Sequence, residues 1–183
     1  MSSIVRGWLA FAAVGTGIIH LALVIGAPLP LAIAFGALGF TEFAWGVLAF
    51  VREPFAPKAA IAVAIAPIVV WGGLLTVAAG GGMPELAASL DLLPLAIASL
   101  FELFIVGVLG VHLRRGTDRQ PPASSTAKYL IGITAGALVV AGLTSPALAA
   151  TEAGLGAKPH GGTVVEEQPY ELELPGHGSD PDH

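Results

Sequence analysis

Two glutamates stand inside apolar runs where ionisable residues are otherwise rare. Glu42 lies within FGALGFTEFAWGVLAFV and Glu102 within SLFELFIVGVLGVHL. Each run is long enough to cross a bilayer, which would set both carboxyls near its centre. A charged side chain at that depth costs about 2.5–3.5 kcal/mol on insertion scales, so such a group normally has a partner or a task. Two facing carboxyls could hold one cation, or share a proton and pass it on as a cation moves. The competing reading makes them helix glue, protonated and bonded to Thr41, Ser99 or Trp45. Whether the two carboxyls face each other is left open at this level.

His20 lies in the outer half of the first apolar run, about one helical turn outward of the glutamates. It could complete a site of nitrogen and oxygen ligands suited to a divalent transition metal. A histidine satisfied by a neighbouring carbonyl is the alternative. His112 falls at the far end of its run beside Arg114. The depths of His20 and His112 differ too much for the pair to ligate one haem iron, so no haem is expected.

A second group of ligand types lies at the C-terminus. His160, His177 and His183, together with Asp180, Asp182 and nearby glutamates, could bind Cu(II), Zn or Ni. Gly176 and Gly178 leave these positions flexible, so the affinity would be modest. An acidic, solvated tail with no ligand is the plainer account.

Five spanning helices would position the buried groups, over residues 7–26, 31–51, 59–79, 92–113 and 129–150. About 20 residues at roughly 1.5 Å each cover a hydrocarbon core of about 30 Å. Pro28 and Pro30, Pro54 and Pro57, Gly80 to Gly82 with Pro84, and Pro121-Pro122 separate the runs. Proline and glycine clusters break helices, so these are turns. The expected fold class is therefore all-α: a transmembrane domain over residues 1–150 and an acidic tail over 151–183. In the tail, Thr163 to Val165 and Tyr170 to Leu174 alternate like strands and could form a β-hairpin.

Composition points the same way. Of 183 residues, 55% are hydrophobic and 11% charged, where a soluble domain carries about 25% charged residues. Mean hydropathy is +0.80. Cysteine is absent, which excludes disulfides, thiolate zinc sites and thiol catalysis. Met1 and Met83 are the only methionines, which argues against a sulfur-rich Cu(I) site. The net charge of −5 belongs to the tail, where seven acids face Lys158 alone. No basic patch is present for nucleic acid.

Basic residues set the expected orientation. Arg6 precedes the first run, Arg52 and Lys58 flank the second connection, and Arg114, Arg115, Arg119 and Lys128 lie around the fourth. The other two connections contain neither Lys nor Arg. With five spans all the basic segments fall on one side, so the N-terminus is expected in the cytoplasm and the tail outside a bacterial inner membrane. The first run is too long for a cleaved signal. The end of the fifth is ambiguous: Ala147-Leu148-Ala149 is either a plain helix end or a cleavage signal that would free the tail.

The hexapeptide Leu-Pro-Leu-Ala-Ile-Ala occurs at Leu29 and again at Leu93. It suggests a parallel duplication of helices one and two as three and four, with Glu42 and Glu102 on comparable faces. Gly132-x-x-x-Gly136, Gly107-x-x-Gly110 and Gly36-x-x-Gly39 offer small surfaces for close helix contact. Pro67, followed one turn later by Trp71-Gly72-Gly73, could bend the third helix.

The tail segment Pro159-His160-Gly161-Gly162-Thr163-Val164-Val165, followed by Glu171-Leu172-Glu173-Leu174, resembles a PHGG…ELEL segment of periplasmic heavy-metal efflux adaptors and of small extracytoplasmic metal-handling proteins. The resemblance covers about 16 residues of the tail and none of the helices. It implies an extracytoplasmic, metal-linked tail and no catalytic residues. The leading expectation is handling or transport of a small cation, a divalent transition metal, by Glu42, Glu102 and His20, with His160, His177 and His183 capturing metal outside. The alternative is a non-catalytic accessory or assembly subunit that docks a membrane partner or a second copy. An enzyme ranks third, since nothing resembles a nucleophile–base pair or a phosphate loop.

Overall fold

The computed structural model describes residues 1–52, 56–82, 90–115 and 125–157. The hairpin expected in the tail, and His160, His177 and His183, lie outside them. Five long helices account for most of the described chain: α1 Ser3–Ala22, α2 Leu29–Val51, α3 Pro57–Gly80, α4 Leu92–Arg115 and α5 Thr126–Ala149. A single turn, α6 Glu152–Leu155, follows. All five long helices are long and apolar enough to cross a membrane. No strand occurs among the described residues.

The helices begin where backbone donors can be satisfied or dispensed with. Ser2 Oγ accepts the Val5 N–H at 3.3 Å and Ser125 Oγ accepts that of Lys128 at 3.4 Å, each capping a helix N-terminus. Proline in the first turn starts α2 and α3, where its missing N–H loses nothing. The Ser2 cap sets α1 about one turn earlier than the expected 7–26. The chain then leaves the helix at Leu23 and turns through Gly26, whose φ of +85° suits glycine. Thr151 caps α6 by accepting the Gly154 N–H at 3.2 Å, and it donates to the Leu148 carbonyl at 2.7 Å.

α1 and α4 form the interior. Their most apolar stretches are 56% and 44% buried, against 11–17% for the other three helices. α1 packs against α2, α4 and α5, and α4 packs also against α3 and α5. Leu9, Ile19, Leu95, Phe101, Ile105 and Leu109 fill the centre. Outside, Leu29, Phe40, Val51, Val69, Ile131 and Leu138 are largely exposed, while Thr16, His20 and Glu102 are almost fully buried. That distribution inverts the pattern of a soluble protein and is compatible with a membrane protein, in which a surface facing lipid gains nothing from charge and an interior can satisfy the polar groups.

The repeated hexapeptide opens α2 and α4 alike, with its proline in the first turn, yet its surroundings differ. Leu29 and Ile33 of the first copy are exposed, whereas Pro94, Leu95 and Ala98 of the second are buried. Starting a helix is common to both copies, and packing is not. Gly107 and Gly110 face no neighbouring atoms, so they make no close helix contact among the described residues. Gly132 and Gly136 do: they receive Ile4 and Trp8 of α1, and Trp8 Nε1 donates to the Gly132 carbonyl at 2.8 Å.

Candidate polar centre between three helices

The approach of α1 to α2 builds the site. A Cβ on Gly17 would stand 2.7 Å from the Gly39 carbonyl oxygen and 2.6 Å from the Phe43 nitrogen. A Cβ on Gly39 would stand 2.7 Å from the Gly17 carbonyl oxygen and 2.9 Å from the Leu21 nitrogen. Two turns further along α2, a Cβ on Gly46 would meet the Val14 nitrogen at 2.9 Å. Backbone lies against backbone here, which only glycine permits. His20 is three residues after Gly17 and Glu42 three after Gly39, so both side chains leave the same contact faces.

They meet directly. His20 Nδ1 is 2.7 Å from Glu42 Oε2, a buried hydrogen bond joining α1 to α2. The other ring nitrogen, Nε2, lies 3.7 Å from Glu102 Oε1 on α4. One ligand atom from each of the three residues lies within 4.8 Å of the others, and all three residues are buried. His20 thus sits between the two carboxylates, and the three side chains meet at one level, although the sequence set His20 about a turn outward. Phe35 on α2 stacks on the imidazole, with centroids 5.9 Å apart and planes 11° apart. The ring is therefore held on one face and at one edge.

Both oxygens of Glu102 and the second oxygen of Glu42 are buried with no hydrogen-bond partner among the described residues. Buried acceptors left in this state each forfeit about 1–3 kcal/mol of solvation, more when charged. Such groups call for a cation, a proton or a bound polar molecule. Thr41, weighed as a partner for Glu42, instead donates to the Ala37 carbonyl of its own helix at 2.7 Å. Ser99 accepts the Trp71 indole N–H at 2.8 Å, a bond that ties α3 to α4. That link and the Phe35 stack have no signal in the sequence beyond aromatic identity, since neither partner is near its counterpart along the chain.

Beside the cluster a cavity of about 390 Å³ separates part of α2 from α3. Phe40, Ala44, Leu48, Ala60 and Val63 are among its walls, and Glu42 is the one ionisable lining residue among the described residues. Alanines along α3 leave this space, since their methyl groups are too small to fill it. His112, ten residues beyond Glu102 on α4, takes no part in the cluster. No family model matches the chain, and no curated protein or solved structure matches it either.

Proposed function

We propose that the chain is a multi-pass inner-membrane protein that handles or transports a small cation, a divalent transition metal, at His20, Glu42 and Glu102. One observation carries this reading: three ionisable side chains from three helices converge in the buried interior with unpartnered carboxylate oxygens. Imidazole and carboxylate together suit Zn, Ni or Cu(II) better than the hard ions Ca or Mg. Two carboxylates also supply the negative charge that a divalent ion needs to be neutral in a low-dielectric interior. The N-terminus is assigned to the cytoplasm and the tail to the outside, on the basic residues flanking α1, the α2–α3 connection and the α4–α5 connection.

Titrating the purified full chain in detergent with Zn, Ni and Cu(II) tests the reading. Tight binding of one ion per chain, lost in His20→Gln and Glu102→Gln proteins that remain folded, is the expected result. Wild-type protein that binds none of the three ions would end it. Ion flux into proteoliposomes then separates transport from handling.

A second reading rests on the His20–Glu42 hydrogen bond itself. A bond joining two helices inside a membrane serves packing, which is what an accessory or assembly subunit requires of its polar residues. In that case the variants lose stability, and wild-type protein captures a membrane partner and no metal.

A further inference from the structure

The two contacts of His20 differ in kind. Donor atoms about 2.0–2.2 Å from a zinc-like ion stand roughly 3.3–3.6 Å apart when the ion is tetrahedral. The Nε2–Glu102 Oε1 separation of 3.7 Å is close to that spacing and too long for a hydrogen bond. The Nδ1–Glu42 Oε2 separation of 2.7 Å is too short for it and is the length of an N–H···O bond to a carboxylate. An imidazole that donates from Nδ1 presents a lone pair at Nε2. Glu102, on that side, has no hydrogen-bond partner within bonding geometry at either oxygen among the described residues. Phe35 fixes the plane of the ring.

From this asymmetry we propose that the ion is held by His20 Nε2 and the Glu102 carboxylate, and that Glu42 is a positioning residue that grips the imidazole through Nδ1. The assignment rests on the cation reading above and divides its three residues into two roles. Metal-bound histidines characteristically donate their second ring N–H to a carboxylate, which orients the ring and raises its basicity. Among the described residues no fourth His, Asp or Glu joins the group. Water or an exchanging molecule would complete the coordination, as at open sites rather than closed structural ones. An ion held by two protein ligands leaves readily, which suits passage more than storage.

The test uses the full chain in detergent, with Co(II) as the titrant and its visible absorption as the readout. Glutamine at position 42 keeps a carbonyl oxygen for Nδ1–H but cannot be a charged ligand. Glu42→Gln should bind one Co(II) with affinity weakened by about 10–100-fold and an absorption band like that of wild type. Glu102→Gln and His20→Gln should show no ligand-field band. In wild-type protein with isotope-labelled histidine, NMR of the cadmium complex should show coupling to Nε2, while Nδ1 keeps its proton. If Glu42→Gln loses Co(II) as completely as Glu102→Gln, or cadmium couples to Nδ1, the division of roles is overturned and the cation reading stands. Should Glu42→Gln fail to fold, the cadmium spectrum of wild type decides alone. Wild-type protein that takes up neither metal overturns both.

Discussion

Gly17 and Gly39 face each other where α1 crosses α2, each placed so that an added Cβ would lie 2.7 Å from the other's carbonyl oxygen. Each stands three residues before a member of the polar cluster, so the closeness of the two backbones sets the His20–Glu42 hydrogen bond. Gly39→Leu should therefore part the helices, lower stability by about 1–3 kcal/mol and abolish tight metal binding. Gly107→Ala serves as the control. Among the described residues nothing lies within 4 Å of a Cβ there, so it should be neutral or stabilising by up to about 1 kcal/mol. Thermal unfolding in detergent and Zn titration of both variants provide the comparison.

Trp71 and Ser99 tie α3 to α4. Trp71→Phe removes the indole donor and keeps most of the apolar volume. Hydrogen bonds of this kind between membrane helices average about 0.6 kcal/mol. A small drop in unfolding temperature is expected, with ion stoichiometry unchanged. Loss of the ion would move Trp71 from packing into the site.

Metal affinity should fall as pH is lowered. His20 and Glu102 ligate only in their deprotonated forms, so protons compete with the ion and binding releases them. Zn titrations at stepped pH, with proton release followed in weakly buffered solution, read this directly. An affinity independent of pH would exclude imidazole and carboxylate as the ligands.

Topology can be mapped because the chain contains no cysteine. Single cysteines at Lys58 and at Gly178 should react with a membrane-impermeant maleimide from opposite sides. Lys58 should label only after the cells are opened, and Gly178 in intact spheroplasts. Labelling of both from one side would remove the outside capture role of His160, His177 and His183.

Number, length and approximate placement of the five helices were open to reading from composition, since runs of about 20 apolar residues between prolines and glycines leave a membrane chain little other choice. Glu42, Glu102 and His20 stood out for the same reason: an ionisable group in such a run is expensive enough to be noticed without a structure. Gly39 belongs to the pair Gly36-x-x-Gly39 legible in the sequence, whereas its partner Gly17 has no glycine at such a spacing. The shared hexapeptide predicted alike helix starts, and it gave no warning that one copy faces outward and the other inward.

How the cluster is wired depended on contacts between residues far apart in the chain. Periodicity places a side chain on a face, but it cannot say which other helix that face meets, because the helices are apolar nearly all round and many packings bury similar area. Backbone contact at Gly17 and Gly39, and the central position of α4, put the imidazole between two carboxylates and gave its two nitrogens different neighbours. The identity of the three polar residues came from the cost of charge in lipid. Their geometry came from which helices were small enough to touch.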